Sequence, residues 1–370
     1  MKIVDVRTTL LRQPGVPGIQ DATIRHRDSG RSALFVHIRT DEGIEGLGIG
    51  TPVARGIIET ALKPLLLEQD PLCHEKLWDD MFWRVRGYGR KGVAFCAISA
   101  VDIALWDLKA KFFGVPLYRL LGPYTDRVPI YGSGGWTSFT EAELVREQMG
   151  YLERGIPRVK MKVAKDFGRS EAEDIRRVAA VRKAVGDDVE IYVDANNGFY
   201  AKQAIGFARR MAEYDVRWIE EPVLADKIDA CAEIRARSRV PIATGEHEYT
   251  RWGLKQLMDA RAADVLQPDI YWAGGISEML KIAALASTYE LVLIPHGHST
   301  PATAQFIAAQ PPTLCPILEY LIKWNEIHQF FFRNPLKPVR GMITVPTAPG
   351  MGVELDEAKI EGERELRWSA

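Results

Sequence analysis

The sequence predicts a parallel (β/α) barrel that carries a separate α+β region. Two observations lead there. Between residues 126 and 340, short apolar β-branched runs alternate with helical stretches in a regular beat. Before residue 50, in contrast, apolar and polar residues alternate with a period of two, as in a small antiparallel sheet. The 370 residues suffice for two domains, or for one barrel with an appendage. Hydrophobic residues make up 46% and charged ones 26%, which supplies a large core and argues against disorder.

In chain order, Ile3–Thr9 and Ala33–Arg39 read as strands, the second ending at the turn Asp41-Glu42-Gly43. Residues 14–32 between them form a loop rich in Gly, Pro and charge, long enough to suggest a function. Residues 54–121 read as helical. Within them Ala94–Phe113 is apolar nearly all round and should be deeply packed. Pro116 and Gly122 then punctuate the chain, placing a domain boundary near 125. Beyond it, strands are expected at Val128–Tyr131, Arg158–Lys162, Glu190–Asp194, Val216–Glu220, Pro241–Glu246, Asp264–Asp269, Leu291–His296 and Ile317–Glu319. Seven helices separate them: Glu141–Arg154, Ser170–Val185, Ala201–Tyr214, Asp226–Arg237, Arg251–Arg261, Ser277–Tyr289 and Pro301–Ala309. An open doubly wound sheet would call for a glycine-rich first turn. Gly132-Ser133-Gly134-Gly135 lacks the GxGxxG spacing, so the barrel is preferred. The stretch 341–370 is strand-like and polar and is expected to rejoin the first domain.

The chemistry lies at the strand ends. Asp194, Glu220, Glu246, Asp269 and His296 close the third to seventh strands, at intervals of 23 to 27 residues, one βα unit each. In a barrel those ends converge on one mouth. Each acid alone reads as a helix cap. Three carboxylates in phase on neighbouring strands instead repel one another unless a cation sits among them, and hard oxygen donors suit Mg2+. At the fourth strand Glu220 and Glu221 compete, since successive strand residues face opposite ways. Lys160 and Lys162, at i and i+2, both face the interior, where crowding is expected to lower the proton affinity of each and make a base. Asp269 is placed to hold His296 in one tautomer as an acid/base pair. His298 follows in Pro-His-Gly-His, and either ring qualifies as the reactive one; His296 is favoured because it closes the strand. Glu319 ends the eighth strand, either as a protonated donor to a substrate carboxylate or as a plain structural acid.

The net charge of -1 argues against nucleic acid or an anionic membrane as the main partner. The 4 cysteines are scattered without a CxxC, so neither a disulfide framework nor a zinc knuckle is suggested. The N-terminus has no apolar leader and no run reaches the length of a membrane span, so a soluble cytoplasmic protein is expected.

Taken together, AISAVDIALWDLKAKFFG, the Lys160–Lys162 pair, VDANNG, WIEEP, TGEHE, LQPDIYWAGGISE and IPHG resemble the enolase superfamily, and within it the mandelate racemase subgroup. The last third, from TGEHEYTRWG to PGMGVEL, is similar to acid-sugar dehydratases of the L-rhamnonate dehydratase type. The resemblance implies a modified (β/α)7β TIM barrel, residues 126–340, under an α+β capping domain of residues 1–125 plus 341–370. It implies one Mg2+ per subunit on Asp194, Glu220 and Glu246, with Lys162 and the Asp269–His296 dyad as acid/base groups. Lys160 would hold the substrate carboxylate, with Glu319, Asn196 and His298 as further contacts. Arg25 and His26 would belong to a mobile loop closing over substrate, and the loop after Gly50 would add contacts. A homo-oligomer, an octamer among the forms, is also implied. The expected reaction is Mg2+-dependent dehydration of a small sugar acid, such as a rhamnonate-like aldonate, to a 2-keto-3-deoxy acid. Removing the α-proton of a carboxylate needs a cation to offset the second negative charge of the enediolate. Racemisation or epimerisation of a 2-hydroxy acid is the alternative chemistry, and an inactive metal-binding scaffold the alternative class. Cycloisomerisation would leave the His–Asp dyad surplus.

Overall fold

The computed structural model describes residues 1–15, 18–26 and 32–361. Parts of two expected segments, residues 16–17 and 27–31 of the 14–32 loop and residues 362–370 of the C-terminal stretch, lie outside the described residues. The first fifty residues supply β1 (Ile3–Arg12), β2 (Ile19–Gln20), β3 (Arg25–His26), β4 (Ser32–Thr40) and β5 (Glu45–Gly50). Strands β1, β4 and β5 form an antiparallel sheet, while β2 and β3 make a short hairpin within the 14–32 segment.

Two helices pack below: α1 (His74–Val85) and α2 (Val93–Phe112). As its composition implied, α2 is buried along nearly its whole length. It lies directly on β5, where a Cβ added at Gly46 or Gly48 would come within 2.1 Å of the Ala104 or Ala100 carbonyl oxygen, so only glycine fits this contact. His74, at the start of α1, is buried with its ring centroid 4.6 Å from that of Trp106. Burial, with Lys109 nearby, pushes its pKa down to about 4. The folded chain therefore holds His74 neutral where the unfolded chain would protonate it. Its contribution is complete above the ordinary value of 6.5 and is lost as pH falls toward 4. Stability from urea titrations is expected to drop by about 2 kcal/mol more between pH 7 and 5 in the native chain than in His74→Phe. Equal drops would remove His74 as the cause.

Eight parallel strands follow: β6 (Arg127–Ser133), β7 (Arg158–Lys162), β8 (Glu190–Asp194), β9 (Val216–Glu220), β10 (Ile242–Thr244), β11 (Val265–Leu266), β12 (Val292–Leu293) and β13 (Leu318–Leu321). Each pairs with the next in sequence as far as β12, and β13 pairs in parallel with β6. The Leu293 N–H reaches the Leu314 carbonyl just ahead of β13, drawing the two ends of the sheet together. This is the parallel barrel that the alternation predicted, in the modified form that the resemblance implied, with a helix in each of the seven connections. Strands β10 to β12 are shorter than expected. Gly245 breaks the first, and Pro268 and Pro295, which have no N–H for the ladder, end the other two. Glu246, Asp269 and His296 accordingly stand just beyond their strands, on loops.

The C-terminal stretch divides its contacts. Strand β14 (Met342–Thr344) pairs antiparallel with the start of β6, on the barrel. The Gly350 carbonyl accepts from the Leu117 N–H, and the Met351 N–H donates to Asp107, both in the first region. Among the described residues, no helix is long and apolar enough to cross a membrane.

Candidate active site

The barrel interior is layered. At the base, Tyr131, Tyr192 and Trp218 pack together, the last two stacked at 3.6 Å. Above them lies a buried polar layer. The Lys160 ammonium sits 2.6 Å from Glu220 and 2.6 Å from Glu319, and 5.5 Å from the Tyr131 ring centroid. Gln267 donates to the other Glu220 oxygen at 2.7 Å, and the Trp218 indole N–H reaches it at 3.3 Å. One residue pair higher, Lys162 donates to Asp194, and Lys160 lies 3.6 Å from the same oxygen.

This layer corrects two expectations. Lys160 is wholly buried beneath the mouth and, like Asp194 and Glu220, does not line the cavity. Burial opposes the charge on both lysines, but Glu220 and Glu319 around Lys160, and Asp194 beside Lys162, outweigh it and raise both pKa values instead of lowering them. Glu319 is likewise ionised against burial by Lys160 and His296, which makes it an acceptor and not a protonated donor.

Higher still, a cavity of about 240 Å³ opens, with Lys162, Asn196, Glu221, Glu246, His296 and His298 on its walls. Trp136, Trp272 and Trp324 supply its apolar faces. The β2–β3 hairpin adds Asp21 and His26. His26 Nε2 pairs with Asp21 at 3.0 Å, and the ring stands edge-on to Trp136 and Trp324. Arg25, expected beside it as a substrate contact, is exposed and does not line this cavity. A second cavity of about 330 Å³ includes Thr51 and Pro52 from the loop after Gly50, and shares Trp272 and His298 with the first.

Arg177 fixes the floor of the mouth. Its buried guanidinium donates to the carbonyls of Lys162 at 3.1 Å and Trp136 at 2.8 Å, with Asp174 as countercharge at 3.4 Å. On the far wall, Asp269 Oδ2 accepts from Nδ1 of both His296, at 2.7 Å, and His298, at 2.8 Å. Burial opposes ionisation of Asp269, but the two rings hold its pKa far below the usual carboxylate range. His296 Nε2 lies 3.5 Å from Glu246 and 4.0 Å from Glu319. Burial works against an imidazolium there, yet Glu246, Asp269 and Glu319 lift its pKa to about 10.

The acids are distributed differently from the expected trio. Among the described residues, ligand atoms lying within 4.8 Å of one another form two groups, Glu221–Glu246–His247 and Asp269–His296–His298. Asp194, Glu220 and Glu246 do not form such a group, because Asp194 and Glu220 take the two lysine ammonium groups as countercharges. Glu220 and Glu221 also do not simply face opposite ways. Glu221 has left the strand at φ 41, which brings it onto the cavity wall while Glu220 points into the barrel. Glu221 accepts from Asn197 at 2.8 Å and meets His247 Nδ1 at 2.5 Å. Glu221 was weighed in the sequence only as a rival to Glu220. His247 and the three tryptophans went unnoticed, although His247 follows Glu246 directly in TGEHE.

Burial and neighbouring carboxylates leave this mouth short of positive charge. Burial, with Asp194 beside it, raises Glu220 to about 8; burial, with Glu246 beside it, raises Glu221 to about 7. Such an acid cluster fits a divalent cation, which would relieve that repulsion.

Comparison with known proteins agrees with this architecture. Residues 8–122 match the mandelate racemase / muconate lactonizing enzyme N-terminal domain, and residues 143–359 the enolase C-terminal domain-like family. A D-galactarolactone cycloisomerase of Agrobacterium fabrum is 34% identical over 96% of this chain and 97% of its own length. An arabinonate dehydratase of Saccharolobus solfataricus is 34% identical, covering 97% of this chain and 98% of its own. The crystal structure of a racemase from Streptomyces coelicolor with bound magnesium superposes with a TM-score of 0.90 at 33% identity, covering 97% of this chain and 99% of that one. With both of its regions matched and Lys162, His296 and Glu246 gathered at the mouth of a capped barrel, the chain belongs to the enolase superfamily, in the mandelate racemase subgroup.

Proposed function

We propose that the chain is a dehydratase of a small sugar acid, working with one Mg2+ per subunit. The observation that carries this reading is the cavity in which Lys162 and the Asp269-bound His296 face the same space beside the acidic cluster. Asp194, Glu220 and Glu246 are the proposed ligands, at the ends of three neighbouring strands. The charge shortage around Glu220 and Glu221 supports a cation there. Bound at those oxygens, the ion would offset the charge that builds on the substrate carboxylate as the α-proton leaves. It would also weaken the hold of Glu246 and Asp194 on the protons of His296 and Lys162, bringing both toward the range of a working base.

His296 Nε2 takes the α-proton in this scheme, while Asp269 fixes the ring and balances the imidazolium. Asn196 and His26, both on the cavity wall, would bind substrate hydroxyls. The relatives are named for ring isomerisation, dehydration and racemisation at nearly equal identity, so the choice among these rests on the site. Lys162, a second proton carrier in the same cavity, favours racemisation or epimerisation as the second reading. A cytoplasmic homo-oligomer remains part of the proposal.

The test is a panel of aldonic and aldaric acids incubated with Mg2+. A semicarbazide-reactive 2-keto acid is expected from at least one of them. Exchange of the α-hydrogen with D2O without such a product would establish the epimerase instead. Silence in both assays would leave a metal-binding scaffold.

A further inference from the structure

We propose that the two histidines on Asp269 divide the dehydration between them, and that His298 is the general acid that protonates the departing hydroxyl. This rests on the dehydratase reading above and assigns a second proton-transfer residue within it.

The arrangement begins with Gly297. A Cβ there would lie 2.9 Å from the Glu319 carbonyl oxygen, so the chain can pass β13 this closely only with glycine. Its N–H is anchored on Glu319 Oε2 at 3.0 Å. The tight turn Gly297–Ser299 places His296 and His298 on one side, their ring centroids 4.3 Å apart and nearly perpendicular. Both Nδ1 atoms are tied to the same Asp269 oxygen, which leaves Nε2 of each as the nitrogen available for proton transfer. Trp272 packs against both rings, at 5.8 and 5.0 Å, and limits their rotation. Both line the reaction cavity, but only His298 also lines the cavity beneath the loop after Gly50. His296 thus faces the end of the cavity nearest Glu246 and Glu319, where the carboxylate and α-carbon belong. His298 stands farther along, toward the second cavity, where the next carbon of a substrate bound that way would lie.

The chemistry balances without another reactant. The α C–H bond breaks and its proton goes to His296, while its electron pair enters the carboxylate system. That pair then forms the C2–C3 double bond as the C3–O bond breaks. The departing hydroxyl takes the proton of His298 and leaves as water; the enol then gives up its O–H proton to solvent and gains one at C3 to become the ketone. Solvent finally takes the proton from His296 and restores the one lost from His298. Two carriers on one wall favour elimination, whereas inversion at the α-carbon needs carriers on opposite walls.

His298→Asn is the informative variant, because its amide keeps a donor toward Asp269 and removes Nε2. With an aldonate that the native enzyme dehydrates, kcat for 2-keto acid formation is expected to fall by about 10²-fold or more, with KM changed by less than about threefold. Exchange of the α-hydrogen in D2O should continue, since His296 is intact. A 3-deoxy-3-fluoro analogue, whose fluoride needs far less help from an acid, should recover most of the lost rate. Parallel loss of exchange and dehydration would overturn the assignment, as would a raised KM at unchanged kcat, which marks a binding group only. Dehydration by the native enzyme with His298→Asn equally active would refute this inference alone. No dehydration of any acid by the native enzyme would refute the underlying reading and this inference with it.

Discussion

His296→Asn is expected to lower dehydration by about 10²–10⁴-fold while leaving Mg2+ affinity within about threefold of native. Asparagine retains a donor for Asp269 Oδ2, which His296 Nδ1 meets at 2.7 Å, so the buried carboxylate is not left without a partner. What is lost is Nε2, the nitrogen facing the acids at 3.5 Å from Glu246. Steady-state kinetics on an aldonate substrate and isothermal titration with Mg2+ separate the two roles. Loss of metal binding in parallel with activity would make His296 part of the ion site. Undiminished turnover, with Lys162→Ala inactive, would move the base to the lysine.

The second large effect is expected at the carboxylates. Glu246→Gln and Glu220→Gln should each weaken Mg2+ binding by about tenfold or more, since a neutral amide replaces a charged oxygen donor to a hard cation. Glu221→Gln should weaken it less, because Glu221 is not among the proposed ligands. Titration of the three variants decides a question that the two adjacent acids pose directly. A large loss for Glu221→Gln with Glu220→Gln near native would assign the ligand to the residue on the cavity wall, in keeping with its grouping with Glu246 and His247.

Much of the fold was legible because barrel strands are short, apolar and evenly spaced. Arg158–Lys162, Glu190–Asp194 and Val216–Glu220 have the bounds read from the sequence, since nothing in their composition interrupts the ladder. The later strands were overestimated where Pro268 and Pro295 cut the pairing early, a signal present in the sequence and outweighed there by β-branched neighbours. The Asp269–His296 contact follows from residues at the ends of adjacent strands. The protonation of Lys160 and Lys162 was misjudged because like-charge crowding was considered without Glu220 and Glu319, which β9 and β13 bring within 2.6 Å of Lys160. Only tertiary structure places those acids there. The position of Glu221 was illegible for a local reason: alternation holds only while the backbone stays extended, and it turns at that residue.

His26, held edge-on between Trp136 and Trp324, comes from a hairpin in the first fifty residues, whereas both tryptophans and every proposed proton carrier come from the barrel. The shape of the reaction chamber and the machinery inside it are thus written on separate stretches of chain. Evolution, or an engineer, can redraw the silhouette that a sugar must fit by editing residues 18–26 and leave the reactive groups of the barrel untouched.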